Sequence, residues 1–390
     1  MVSNRYEFDF PQWPVYGDEE MQYLSEVITS GFWAGSRAKY SKEVSKNFLN
    51  LHSGTFGFPV TNGTTTLETA LKVLGVKAGD EVILPALTFF STVSAVLRTN
   101  ANPVIVDIDR ETFCISTPEV NHALSEKTKA IIPVHLSGAM CDMDELMKIA
   151  ASNRLNVIED CAHAHGSEWN NAGAGTIGDF GSFSFQHSKL ISCGEGGFLI
   201  ANSQENIDKA WNFSNCGRSS KHSVYEHSVI GTNNRMSDFQ AAVLNAQILR
   251  YESQLKIRER NASFLRAELS RIEGVSTQIY DNRMTRRAYY NFIIVIDPFR
   301  YGKHCCRKML DIFTQAGVPT SLPYPPLNEL EIFRNKNNHE LLGYNVRLFE
   351  TPNAKYISEN SIWLHHRLLL SDKETITKFI YLFSESLGVG

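Results

Sequence analysis

A chain of 390 residues exceeds one ordinary small domain and suggests a large domain with a smaller companion. Its formal net charge of −4 gives no electrostatic basis for a nucleic-acid partner. No run of about 18 apolar residues could span a bilayer, and the start MVSNRYEFDFPQWP lacks a basic segment followed by an apolar one, so a cytoplasmic protein with no membrane partner is expected.

In the first two hundred residues, short runs rich in β-branched residues alternate with helical stretches. The expected strands are 81–84, 103–107, 130–135, 156–159, 181–185 and 197–201. The expected helices between them are 65–74, 92–99, 118–124 and 143–152. This alternation predicts a mostly parallel sheet covered on both faces. Ligands of such sheets bind beyond the carboxyl ends of the strands, which places the loops after Phe89, His135 and Asp160 on one rim. From 236 to 269 the pattern turns helical, with Phe239, Val243, Ala246, Leu249, Tyr251 and Leu255 in a loose apolar stripe. A strand at 291–297, a helix at 308–316 and the loop 317–326 suggest a smaller α+β domain. The expected division is a large domain over 1–250 and a small one over 251–390, with residues 1–30 packing on the small domain.

The seven cysteines, Cys114, Cys141, Cys161, Cys193, Cys216, Cys305 and Cys306, include no C-x-x-C pair. Neither a disulfide framework nor a zinc site is expected.

Three polar clusters fall on the expected rim. The first, Thr61-Asn62-Gly63-Thr64-Thr65, opens a helix, where free backbone N–H groups and the helix dipole suit a phosphate; a simple N-cap is the competing reading. The second, Glu159-Asp160-Cys161-Ala162-His163, ends an apolar strand with an acid. That acid needs a partner such as a cationic ring nitrogen, unless it only caps a helix. The third runs from Ser182 to Lys189 and is followed by Gly194-Glu195-Gly196-Gly197. A lysine there could form a Schiff base if burial eases loss of its proton, although an isolated lysine beside glycines is ordinarily a surface residue.

Phosphate loop, then acid, then a lysine at strand ends follows the linear order of fold-type I pyridoxal-phosphate (PLP) enzymes. The segments TNGTTTLETAL, DEVILPALTFFST, AIIPVHLSGAMCDMD, VIEDCAHAHG, GDFGSFSFQHSKLISCGEGG and GTNNRMSDFQAAV resemble the DegT/DnrJ/StrS family of sugar and cyclitol aminotransferases over nearly the whole chain. The resemblance implies an aspartate-aminotransferase-like α/β fold and a PLP cofactor that becomes pyridoxamine phosphate between half-reactions. It makes Lys189 the Schiff-base lysine and acid/base group. Asp160 would pair with the pyridine nitrogen and Phe89 would stack on the ring. Gly63, Thr64 and Ser184 would hold the phosphate, while Ala162 and His163 would line the cofactor, His163 near the phenolic oxygen. Asn233 matches an asparagine that the family reaches across a homodimer interface to the same phosphate.

The implied reaction moves an amino group from glutamine or glutamate to a keto-cyclitol or keto-sugar in secondary-metabolite or polysaccharide biosynthesis. Within the family, SLPYPPLNELEIF is nearer to scyllo-inosose-type cyclitol enzymes, and His163-Ala164-His165 is nearer to 3-amino-5-hydroxybenzoate synthase, an aromatising enzyme. Some relatives carry histidine for the lysine and act as dehydratases; here His187 lies two residues before Lys189, which keeps the family spacing to the glycines. A metal reading of His163-x-His165 with His365-His366 lacks locatable further ligands, so no metal is expected. A non-catalytic PLP or sugar-binding regulator would not need the acid/base amine. Arg218, Arg235, Arg286 and Arg287 are candidate contacts for carboxylate or polar substrates, with an ordinary surface position the competing and more common reading of each.

Overall fold

A computed structural model describes residues 6–35, 37–219, 226–279, 281–335 and 345–389. The first five residues of the amino-terminal segment therefore lie outside the described residues.

The chain opens with helices α1 (Asp18–Ser30) and α2 (Tyr40–His52), then strand β1 (Phe56–Val60) and α3 (Gly63–Val73). Strand and helix then alternate through β2 (Glu81–Pro85), α4 (Phe90–Arg98), β3 (Asn102–Val106), α5 (Thr117–Ala123), β4 (Thr128–Ile131), α6 (Met143–Asn153) and β5 (Asn156–Asp160). The short β6 (Glu168–Trp169) and β7 (Ala172–Gly173) precede β8 (Phe180–Ser184), β9 (Gly197–Ala201), α7 (Gln204–Ser214) and the long α8 (Asp238–Leu269). After it come β10 (Val275–Thr277), β11 (Met284–Arg286), β12 (Asn291–Ile296), α9 (Pro298–Tyr301), α10 (Cys305–Gln315), β13 (Thr320–Ser321), α11 (Glu331–Arg334) and β14 (Arg347–Leu348). A helix at Pro352–Asn360, β15 (Ser361–His365) and the helix Lys373–Leu387 close the described chain.

Eight strands form the main sheet in the order β1-β9-β8-β5-β4-β2-β3-β14. The pairs from β8 to β14 are parallel, and β9 runs antiparallel to both β8 and β1. β2, β8 and β9 are buried along their whole length, as expected of a sheet covered on both faces. The expected strand 130–135 leaves the ladder early because Pro133 has no N–H to donate. Past β4, the Ile132 N–H still reaches the Ile83 carbonyl, and a Val134–Asp160 bridge forms from the Asp160 N–H on the Pro133 carbonyl and the His135 N–H on the Asp160 carbonyl.

Helix starts follow local chemistry. Asn62, Ser116, Asp142 and Ser203 each accept a hydrogen bond from the backbone N–H three residues on, and Ser237 forms a capping box with Gln240 at the head of α8.

A second sheet, β10-β12-β15-β13, is antiparallel. Phe292, Ile294, Ile362 and Leu364 from this sheet bury against Met309 and Phe313 of α10 and Phe379 and Phe383 of the last helix. Tyr6, Phe8 and Phe10 pack on the same cluster, whereas α1 lies along α8. Residue 250 falls inside α8. No described helix is long and apolar enough to cross a membrane.

Candidate active site

The carboxyl ends of β2, β5 and β8 open into a cavity of about 750 Å³. Gly63, Thr64, Phe89, Asp160, Ala162, His163, Ser184 and Lys189 all line it.

Asp160 is the last residue of β5 and is buried. Its Oδ2 accepts from Thr92 Oγ1 at 2.9 Å and its Oδ1 from the Ala162 N–H at 3.2 Å. No helix begins at Asp160, so its carboxylate is not a helix cap. Burial raises its pKa above the usual carboxylate value, against the lowering effect of these two donors and of Lys189.

Lys189 follows β8 by a tight turn, with its N–H on the Gln186 carbonyl at 2.8 Å. It is only 8% exposed, so it is not a surface lysine. Among the described residues its Nζ has no hydrogen-bond or ion-pair partner; it lies over the Tyr290 ring, 4.3 Å from the centroid. His163 stacks on the same tyrosine at 4.0 Å and accepts at Nδ1 from the Ser137 N–H at 3.4 Å. Burial, then the nearby Lys189 and His165, push the His163 imidazole well below its ordinary pKa, so it is neutral. His165 gives Nε2 to the Ser184 carbonyl at 2.9 Å and is pushed by burial down to about 3.

At the other end, Asn62 caps the Thr65 N–H at 2.9 Å, which leaves the Gly63 and Thr64 amides without intrahelical partners. Thr64 Oγ1 donates to Ser91 Oγ at 3.0 Å. A Cβ on Gly63 would meet Ser184 Cβ at 2.7 Å, so the glycine is required for the helix start to approach β8. Phe89, 55% exposed, sits at the head of α4 with its ring 5.9 Å from Tyr324.

Asn233 is exposed and does not line this chain's cavity; Val229 and the almost fully exposed Ile230 lie close to it in sequence. The candidate arginines stand away from this chain's cavity. Arg286 is occupied by the Gly166 and Leu51 carbonyls and by Glu168, while buried Arg287 reaches Gln278. Arg235 donates to Asn215, and none of Arg218, Arg235, Arg286 and Arg287 lines the cavity. Arg98 does line it, paired with Glu68 at 2.5 Å. Tyr290, Tyr324 and Thr92, which the sequence reading did not single out, also line the cavity. Tyr290 precedes β12, more than a hundred residues past Lys189, so only tertiary structure could reveal it.

His135, Glu159 and Cys161 lie together in the core, close enough to suggest a metal site. Their polar atoms are already used. Glu159 takes the Gly175, Ile177 and Gly178 amides at 2.7–3.0 Å and His135 Nε2 at 2.9 Å, while His135 Nδ1 accepts from the Cys141 N–H.

These features suit PLP: an unpartnered buried amine, an acceptor carboxylate, two free amides at a glycine-tight helix start, and an aromatic wall. Fold and cavity together define a fold-type I PLP-dependent transferase. Residues 14–380 match the DegT/DnrJ/EryC1/StrS aminotransferase family, and the chain belongs to it. It is 32% identical over 408 residues to L-glutamine:scyllo-inosose aminotransferase of Streptomyces griseus, covering 99% of this chain and 95% of that protein. It is 33% identical over 365 residues to 3-amino-5-hydroxybenzoate synthase of Amycolatopsis mediterranei, covering 93% of each. A crystal structure of 3-amino-5-hydroxybenzoic acid synthase superposes with a TM-score of 0.89 at 31% identity, covering 99% of this chain and 100% of that one.

Proposed function

We propose that this PLP-dependent aminotransferase moves an amino group from glutamine or glutamate to the ketone of a cyclitol or sugar. The observation that carries this reading is the opposition of the unpartnered Lys189 amine and the Asp160 carboxylate in one cavity. When bound there, PLP would supply a carbonyl for amine exchange and an electron-withdrawing ring.

Lys189 Nζ, the only described amine in the cavity, would act as the acid/base group, taking a proton from the donor Cα and returning one to the acceptor carbon. Asp160 would accept from a protonated ring nitrogen, and the Ala162 N–H holds its Oδ1 in place. Phe89 would cover the ring, and neutral His163 would line it. The Gly63 and Thr64 amides with the Ser184 hydroxyl would hold the phosphate, joined by the Thr64 hydroxyl once it turns from Ser91 Oγ. In a homodimer, Asn233 of the partner subunit completes that end; the exposure of Asn233, Val229 and Ile230 supports this arrangement.

The acceptor assignment draws on the scyllo-inosose relative. The cavity agrees with an uncharged polyol ring: apart from Asp160 and Lys189, its lining charges are Glu68, Arg98 and Glu195, with Arg98 already paired. Glutamine should bleach the visible colour of the holoenzyme, and a keto-cyclitol such as scyllo-inosose should restore it with release of an aminocyclitol. Restoration only by nucleotide-linked keto-sugars would move the assignment to that branch. The likeness to the benzoate synthase sets a second reading, which conversion of an aminocyclohexenone to an aromatic product would establish instead.

A further inference from the structure

Asp160 faces a conflict. To pair with a protonated ring nitrogen it must be ionised, yet its burial favours the neutral acid. A protonated Asp160 would present an O–H donor to the ring, which is the wrong polarity for holding a proton there.

The fold supplies a countermeasure just before and within α4. Thr92 Oγ1 lies 2.9 Å from Asp160 Oδ2, and Thr88 Oγ1 lies 2.9 Å from Thr92 Oγ1. An ionised carboxylate can only accept, so the single Thr92 proton points at Asp160. The Thr92 oxygen is then free to accept, so Thr88 donates to it. The chain has one direction, Thr88 to Thr92 to Asp160, and each donor polarises the next. Thr88 and Thr92 are 3% and 1% exposed, so bulk water does not readily substitute for either. With the Ala162 N–H on Oδ1, each carboxylate oxygen has one protein donor and a lone pair left over.

We propose that Thr88 and Thr92 are positioning residues, a two-hydroxyl relay that keeps Asp160 an acceptor for the ring nitrogen. This rests on the pairing of Asp160 with that nitrogen. Neither hydroxyl is assigned contact with reacting atoms; both act through the carboxylate.

The test uses apoenzyme prepared from the purified holoenzyme, with dissociation constants read from quenching of tryptophan fluorescence. Two probes are compared: PLP, and 1-deazapyridoxal phosphate, in which carbon replaces the ring nitrogen. Thr92→Val should weaken PLP binding roughly tenfold or more, the scale of a hydrogen bond to a charged group. It should leave the deaza analogue within about twofold, because that probe offers Asp160 nothing to hold. Thr92→Ser should restore PLP binding, and Thr88→Val should show the Thr92→Val pattern more weakly. Equal weakening of both probes by Thr92→Val would overturn the relay in favour of packing or direct contact. No weakening of either would overturn it as well. Asp160→Asn is the separate control: if it leaves PLP affinity unchanged, the pairing of Asp160 with the ring nitrogen fails. If Asp160→Asn weakens PLP selectively and Thr92→Val does not, the relay alone fails.

Discussion

Lys189→Ala removes the only described amine in the cavity and should lower turnover by at least about a thousandfold, with loss of the visible colour in the purified protein. Retention of colour would remove Lys189 from its role. Gly63→Ala tests the phosphate end. Its Cβ would meet Ser184 at 2.7 Å, so the helix start must retreat, and PLP affinity should fall about tenfold or more. Equilibrium dialysis of the apoenzyme with the cofactor reads this. Neither residue is legible locally, since a glycine among hydroxyls also fits a plain N-cap and a lysine beside glycines a surface position; the order of the three clusters along the chain and the family resemblance single them out. Thr92 had no such signal: it looks like any threonine on a helix, and only the crossing of α4 beside the end of β5 gives it a carboxylate. Tyr290 was hidden for a different reason, since its ring reaches Lys189 only after the chain has formed α8 and returned.

Glu159 shows how one side chain sets the geometry of two strands. From β5 it accepts three amides of the 175–178 segment, and that segment leads into β8, whose far end carries Ser184 and then Lys189. Glu159→Gln turns an amide nitrogen toward N–H donors in a site with no exposure, and should cost roughly 2–4 kcal/mol of stability. Urea unfolding of the apoenzyme checks this; an unchanged midpoint would show that the segment is held by other contacts. At this scale the alternation of strands and helices was readable through the parallel core, where nearly every strand position is buried and Val and Ile recur in β2, β3 and β5. β1 escaped notice because FGFPV contains Gly57 and Pro59, which mask a strand until β9 is seen to pair with it. Expected strand 130–135 ran past the regular ladder because its apolar run continues through Pro133, which has no N–H to donate, and pairing beyond it is reduced to the Val134–Asp160 bridge.

Five histidines, His52, His163, His165, His365 and His366, have pKa values lowered chiefly by burial. His52 shows why the neutral form fits: Nδ1 faces the Ala174 carbonyl at 3.0 Å while Nε2 accepts from the Gly166 N–H at 3.1 Å. Folding thus favours unprotonated imidazoles, whereas the unfolded chain takes up protons near pH 6.5. The resulting stability is complete above that value and is lost as pH falls below it. Between pH 7.5 and 5.5 each such histidine should cost the folded state about 1.4 kcal/mol. Asp160 opposes this, since a raised carboxyl pKa favours the folded state as pH falls. Denaturant midpoints of the apoenzyme should therefore drop across this window, and His52→Gln should flatten the slope; a flat profile in the parent protein would contradict the argument. We further propose that 1–250 and 251–390 act as two units sharing α8, and limited proteolysis that cuts first near residue 250 would support the division.

The segment before α1 braces the turn that carries Lys189. Trp13 Nε1 donates to the His187 carbonyl at 3.0 Å, two residues from Lys189, and its ring meets His366 edge-on at 4.4 Å. The Val15 carbonyl is held by Gln247 and Arg250 of α8. Loss of Trp13 would therefore free the turn that carries Lys189, so a change more than a hundred and seventy residues away in sequence reaches the reacting amine.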